Sequence, residues 1–178
     1  MCWWADYKVL AEVHRGKTVA VVGGGNSAAA DALVLSRIAK KVHLIHRRDS
    51  LRATKVYHEP LQSAENVEFH WNSAVRELIY DEKLTGIVVQ DVNTGAESEL
   101  ALDGLFISIG REPATNLFRG QLELDEGGYI VAGESTETSI PGVYAVGDVR
   151  TKAVRQIVTA AADGAVAAHY VEEYLKDQ

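Results

Sequence analysis

Two short runs of residues hold the types and spacing needed for chemistry. Gly23-Gly24-Gly25-Asn26-Ser27-Ala28 contains the pattern Gly-x-Gly-x-x-Ala, and His46-Arg47-Arg48 with Arg52 follows it. The first run is suited to a diphosphate. Gly23 allows a tight turn, Gly25 lets a phosphate approach the backbone, and Ala28 lets a following helix pack close to a strand. The first N–H groups of that helix have no partner inside it and carry partial positive charge. Gly23, Gly25, Asn26, Ser27 and Ala28 are therefore candidate contacts for a dinucleotide pyrophosphate. A strand-to-helix turn without a ligand is the plainer alternative. The apolar run Thr18–Val22 before the loop and the helical pattern after it favour the ligand.

The second run distinguishes two dinucleotides. An NAD site usually places Asp or Glu roughly 20 residues beyond the glycines, where it binds the ribose 2′-hydroxyl. Here that region holds His46, Arg47, Arg48 and Arg52. An acid would repel a 2′-phosphate, whereas guanidinium groups pair with it through parallel hydrogen bonds. The spacing points to NADP. The alternative is a solvated surface cluster.

These runs need elements to hold them. Thr18–Val22 and Val42–Ile45 read as strands, with a helix between them carrying Ala28, Ala32, Leu35 and Ala39 on one stripe. Residues 55–65 read as a short helix interrupted by Pro60. The period then changes to two. Val67–His70, Ala74–Tyr80, Leu84–Val92 and Ser98–Leu102 read as strands, with turns at Asp81-Glu82-Lys83 and at Asn93-Thr94-Gly95-Ala96. Leu105–Ile109 reads as a return strand. The expected architecture is α/β: a Rossmann-like NAD(P)-binding domain of three layers, with an antiparallel meander in place of a further helix.

A boundary is expected at Gly110-Arg111-Glu112-Pro113, giving domains at 1–110 and 111–178. Beyond it, Val143–Val146 reads as a short strand entering Gly147-Asp148. From Arg155 a long helix places Ile157, Ala161, Gly164, Ala168, Val171 and Leu175 on one face. That is too little for an independent core, so the second domain is expected to be incomplete. Trp3-Trp4 reads as a packing contact.

Composition narrows the function classes. The 178 residues carry a net charge of −7, which argues against a nucleic-acid partner and makes the arginine cluster local. The single cysteine, Cys2, rules out a disulfide framework or cysteine-based zinc site within one chain, and no metal ligands are assigned. No apolar run is long enough for a membrane span and no signal peptide is recognisable, so a cytoplasmic location is expected.

Taken together, GGGNSA at 23–28, HRRDSLRA at 46–53, GLFISIG at 104–110, TSIPGVYAVGDV at 138–149 and RQIVTAAADG at 155–164 resemble the low-molecular-weight thioredoxin reductase family. The resemblance covers about residues 16–178. It implies an oxidoreductase that uses NADPH and FAD to reduce a thioredoxin-like protein disulfide. It implies that Gly23–Ala28 binds the NADPH pyrophosphate and that His46, Arg47, Arg48 and Arg52 hold the adenosine end. Ile109 and Gly110 would lie along the cofactor. Gly147 and Asp148 would meet the FAD ribityl chain, and Arg155, Gln156 and Ile157 would sit beside the flavin ring.

The departures shape the expectation. The family's own FAD glycine loop and its Cys-x-x-Cys have no counterpart in this sequence; Cys2 reads as an incidental thiol. Ala30-Asp31 keeps one acid where the family tends to have a pair. The expected behaviour is NADP(H) binding, weak or absent FAD binding and no disulfide reduction by this chain alone. Two further readings remain. One is a piece of a thioredoxin-reductase-like ferredoxin–NADP reductase. The other is a non-catalytic NADP(H)-binding interaction module, for which exposed apolar surface beyond residue 110 predicts a partner or a homodimer.

Overall fold

The computed structural model describes residues 13–176, which divide between Gly110 and Arg111 into two units. Cys2 and Trp3-Trp4 lie outside the described residues.

In the first unit, β1 (Thr18–Val22) leads into α1 (Asn26–Ser36) and β2 (Lys41–Ile45). A 3-10 turn at Lys55–Tyr57 and α2 (His58–Gln62) precede β3 (Val67–His70). Then come β4 (Ser73–Tyr80), β5 (Leu84–Asp91), β6 (Glu97–Ala101) and β7 (Gly104–Ile107). The order β3-β2-β1-β7 forms a parallel sheet, and β4-β5-β6 forms an antiparallel one.

Alternation along the central strands explains the layers. Side chains one residue apart point to opposite faces of a sheet. Val19, Val21, Val42 and Leu44 pack in one cluster with Ala28, Ala32 and Leu35 of α1. Ala20 and Ile45 pack in another with Ile87 and Val89 of the meander. Both faces are covered, so these strands read as nearly continuous apolar runs. The helix expected over 55–65 forms in two pieces. Pro60 sits in the first turn of α2, where its missing N–H breaks no helical hydrogen bond. The predicted stripe of α1 runs past its end: the helix stops at Ser36, and Ala39 is buried in the connection to β2.

The second unit is mostly loop, with isolated bridges, 3-10 turns at Asn116–Phe118 and Gly147–Val149, and α3 (Ile157–Lys176). Two expectations need correction here. Val143–Val146 is not a strand; Tyr144 forms a single bridge with Glu137, and no neighbouring strand extends it into a ladder. The predicted face of α3 is its outer one. Ile157 is 63% exposed and Leu175 65%, while Asp163 and Ala167 are buried and Tyr170 and Tyr174 half-buried. A buried ion pair fixes the inward side. Asp163 accepts from Arg150 Nε at 2.9 Å and Nη2 at 2.8 Å, from Lys152 Nζ at 2.6 Å and from the Gly147 N–H at 2.9 Å. Among the described residues, no helix is long and apolar enough to cross a membrane.

Candidate functional site

The glycine loop connects β1 to α1. Gly23 has φ +142°, and a Cβ there would collide with the Ser108 carbonyl oxygen. Ala28 lies close beside the same position, so α1 packs tightly on the loop. Gly25 differs. Its φ of −91° suits any residue, and a Cβ would meet nothing within 4 Å. Its lack of a side chain therefore serves no packing need and leaves room for a ligand. Gly25 is also the N-cap of α1; no side chain caps the helix and no acid lies in its first turn. An anion would meet uncapped N–H groups there.

The loop after β2 is fastened to the glycine loop. The Gly24 carbonyl accepts from the Arg52 N–H at 2.7 Å and the Ala53 N–H at 3.0 Å. Asn26 Oδ1 accepts from the Thr54 N–H at 2.8 Å. The arginines are thus held beside the uncapped helix. Arg47, Arg48 and Arg52 are exposed, and none forms an ion pair among the described residues. His46 is different. It is 5% exposed, and its ring occupies the space a Gly24 Cβ would need. Burial, then Arg52, Arg48 and Arg47, push its pKa down, so it is a neutral wedge rather than a fourth cation. Its Nε2 is buried without a partner among the described residues. The sequence did not reveal the roles of Gly24 and Asn26 as fasteners, because their partners at 52–54 belong to a loop with no regular period.

Asp31 also points inward. It is buried on α1 and accepts from Ser108 Oγ at 2.5 Å. Burial raises its carboxyl pKa from 3.8 to about 6, with the Ser108 hydroxyl opposing the rise. This acid braces the residue before Ile109 and Gly110. Ile109 is itself 69% exposed, and Gly110 has φ +114°.

In the second unit, Gly147 takes φ +79° and starts the 3-10 turn that carries Asp148. Asp148 Oδ1 is buried without a hydrogen-bond partner among the described residues. Such an oxygen costs about 1–3 kcal/mol unless a donor reaches it, so the position fits a ligand hydroxyl. Arg155 is occupied within the unit. Its guanidinium lies 3.8 Å from the centre of the Tyr129 ring, and Nε and Nη2 donate to the Asp148 and Arg150 carbonyls at 3.4 Å each. Gln156 donates its N–H to Thr159 Oγ1 at 3.0 Å, half of a capping box at the start of α3. Ile157, the first helical residue, is exposed.

Residues 3–164 match the profile of the family described as pyridine nucleotide-disulphide oxidoreductase. The chain belongs to this family. A thioredoxin reductase of Streptomyces clavuligerus is 46% identical over 162 residues, covering 90% of this chain and 50% of that protein. Thioredoxin reductase 2 of Arabidopsis thaliana is 46% identical over 171 residues, covering 94% of this chain and 45% of its own length. The crystal structure of thioredoxin reductase from Streptococcus pyogenes matches with a TM-score of 0.76 at 38% identity, covering 94% of this chain and 55% of that one. The chain spans about half the length of these family members. The three-layer arrangement of the first unit agrees with the expected Rossmann-like fold.

Proposed function

We propose that residues 13–110 bind NADPH and that the chain serves a thioredoxin-reductase-like flavoprotein. One observation carries this reading. Three exposed arginines, none in an ion pair among the described residues, stand on or beside a loop whose Arg52 and Ala53 N–H groups donate to the Gly24 carbonyl next to an uncapped helix N-terminus. Gly23–Ala28 would receive the pyrophosphate, and Arg47, Arg48 and Arg52 the 2′-phosphate. His46 would border the adenosine end through its Nε2, which has no partner among the described residues. Charge-assisted hydrogen bonds contribute about 1.5–3 kcal/mol each, so two of them favour NADPH over NADH by a hundredfold or more. NADPH supplies the electrons when bound; this chain's residues bind and orient it.

For the second unit we infer part of an FAD site. Asp148 would accept from the ribityl chain, and Arg155 would hold the loop in place. These 178 residues contain one Gly-x-Gly loop of the dinucleotide type, which we assign to NADPH, so FAD binding by the chain alone is expected to be weak. Reduction of a thioredoxin-like disulfide in the cytoplasm would belong to the complete flavoprotein. The experiment is a titration with NADPH and NADH, accompanied by an absorbance scan for flavin. The expected result is about a hundredfold or more tighter binding of NADPH and little yellow colour. Equal or tighter NADH binding would refute the arginine assignment. Retained flavin with disulfide turnover would refute weak FAD binding.

The exposed outer face of α3 favours a second reading, in which the chain acts as an NADP(H)-binding interaction module. Size-exclusion chromatography with light scattering tests its homodimer form. A dimer supports it, and a strict monomer counts against it.

A further inference from the structure

The parallel sheet carries a cluster that the nucleotide reading does not use. Neighbours in register on parallel strands share a face. The register His43↔Glu68 and Ile45↔His70 sets Glu68 directly beside His43 and His70 diagonally across from it. His43 Nδ1 and His70 Nε2 face each other at 2.8 Å. Glu68 Oε1 lies 3.4 Å from His70 Nε2, and Oε2 lies 3.9 Å from His43 Nδ1. The three ligand atoms lie within 4.8 Å of one another. The side chains are graded in exposure: 7% for His43, 17% for His70 and 48% for Glu68. The imidazoles therefore form a sheltered floor, and the carboxylate forms an open mouth.

We propose that His43, Glu68 and His70 bind a divalent transition-metal ion, with Zn2+ as the probe. Two imidazole nitrogens and one carboxylate suit Zn2+, Co2+, Ni2+ or Cu2+; Mg2+ and Ca2+ require oxygen ligands. Zn–N bonds of 2.0–2.1 Å place tetrahedral ligand atoms roughly 3.3 Å apart, so the two rings would separate by about half an ångström. Both histidines have their pKa lowered, chiefly by burial, and so favour the neutral form a metal requires. Three protein ligands leave a position for water. The ion would tie edge strand β3 to β2 at His43, three residues before His46, whose N–H donates to the His70 carbonyl.

Lys41 is the built-in competitor. Its ammonium lies 2.5 Å from Glu68 Oε2 and would repel a cation. Glu68 and His70 are two residues apart, but His43 stands on the preceding strand, so sequence inspection misses the set.

The test is calorimetric titration of the chelator-treated full chain with Zn2+, alongside Co2+ absorption. One ion is expected, with a tetrahedral Co2+ spectrum. Glu68 and Lys41 are partly exposed, which makes Glu68→Gln and Lys41→Met tolerable changes. Glu68→Gln and His70→Asn should each weaken Zn2+ binding by no less than the roughly tenfold typical of losing an outer-shell partner. Lys41→Met should tighten it. His169→Gln removes an exposed His–Glu pair on α3 and should leave binding unchanged. NADPH titration of each variant checks its fold. Absence of a bound ion, wild-type affinity in folded Glu68→Gln and His70→Asn, or loss of binding in His169→Gln would overturn the proposal.

Discussion

In residues 13–110 a parallel sheet is covered on both faces, by helices on one side and a meander on the other. In residues 111–176 only Ile130, Ala132 and Ala145 form a buried apolar cluster among the described residues, and the inward side of α3 is held by charge. The first unit gains stability from area: each fully buried Leu, Ile or Val contributes about 1.5–3 kcal/mol. In the second, one carboxylate, Asp163, gathers Arg150, Lys152 and the turn carrying Asp148. The unit with the complete core holds the arrangement assigned to NADPH. The unit with the smaller core holds an unpartnered carboxylate oxygen and an uncovered apolar helix face. The difference predicts opposite responses to mutation.

The largest effect is expected at Asp163. Asp163→Ala leaves the Arg150 guanidinium buried without its counter-ion, held by the Ala132, Gly133 and Thr151 carbonyls, at a cost of about 3–5 kcal/mol. Hydrogen exchange should show residues 111–176 losing protection while residues 13–110 keep theirs. Equal loss in both units would break the comparison. Acid should act in the same direction. Arg150 first, then Lys152 and the Gly147 N–H, hold the Asp163 carboxyl far below its ordinary value. Its stabilisation is therefore full above that ordinary value and lost as pH falls below it.

Asp31 in the first unit has the opposite sign. Its folded value of about 6 exceeds its ordinary 3.8, so its contribution is full below 3.8 and lost as pH rises through about 6. A rise of that size amounts to about 3 kcal/mol by pH 8. Asp31→Asn, which cannot ionise, should recover about 3 kcal/mol near pH 8 relative to wild type and little near pH 4. Denaturant midpoints at the two pH values check this. A gain equal at both would contradict the burial argument.

A smaller effect separates the glycines. Gly25→Ala should cost no more than the roughly 1 kcal/mol of an alanine at an N-cap, because the Cβ direction is empty, yet weaken NADPH binding about tenfold as the methyl meets the pyrophosphate. Gly24→Ala would drive a methyl into the His46 ring and should lower stability as well. If Gly25→Ala left NADPH affinity unchanged, the assigned position of the pyrophosphate would be wrong.

Much of the first unit was readable because its signals are local. β1 begins and ends as the apolar run Thr18–Val22 does, and β3 as Val67–His70 does. The arginines stand at the end of β2 by simple counting. What could not be read depends on partners distant in sequence: Asp31 on Ser108, Asn26 on Thr54, and His46 against Gly24. The second unit was harder for the same reason. The outer face of α3 is the more apolar stripe, so periodicity selects it. The inner face is chosen by Asp163, a residue that hydrophobic patterning counts as exposed.

Arg47, Arg48 and Arg52 are assigned the selection of the 2′-phosphate. Its most direct measurement is the ratio of NADH to NADPH dissociation constants for wild type and for the double variant Arg47→Ala/Arg52→Ala. The wild-type ratio should be about a hundred or more, falling by at least tenfold in the variant through weaker NADPH binding while NADH affinity stays the same. An unchanged ratio, or equal loss for both dinucleotides, would contradict that assignment.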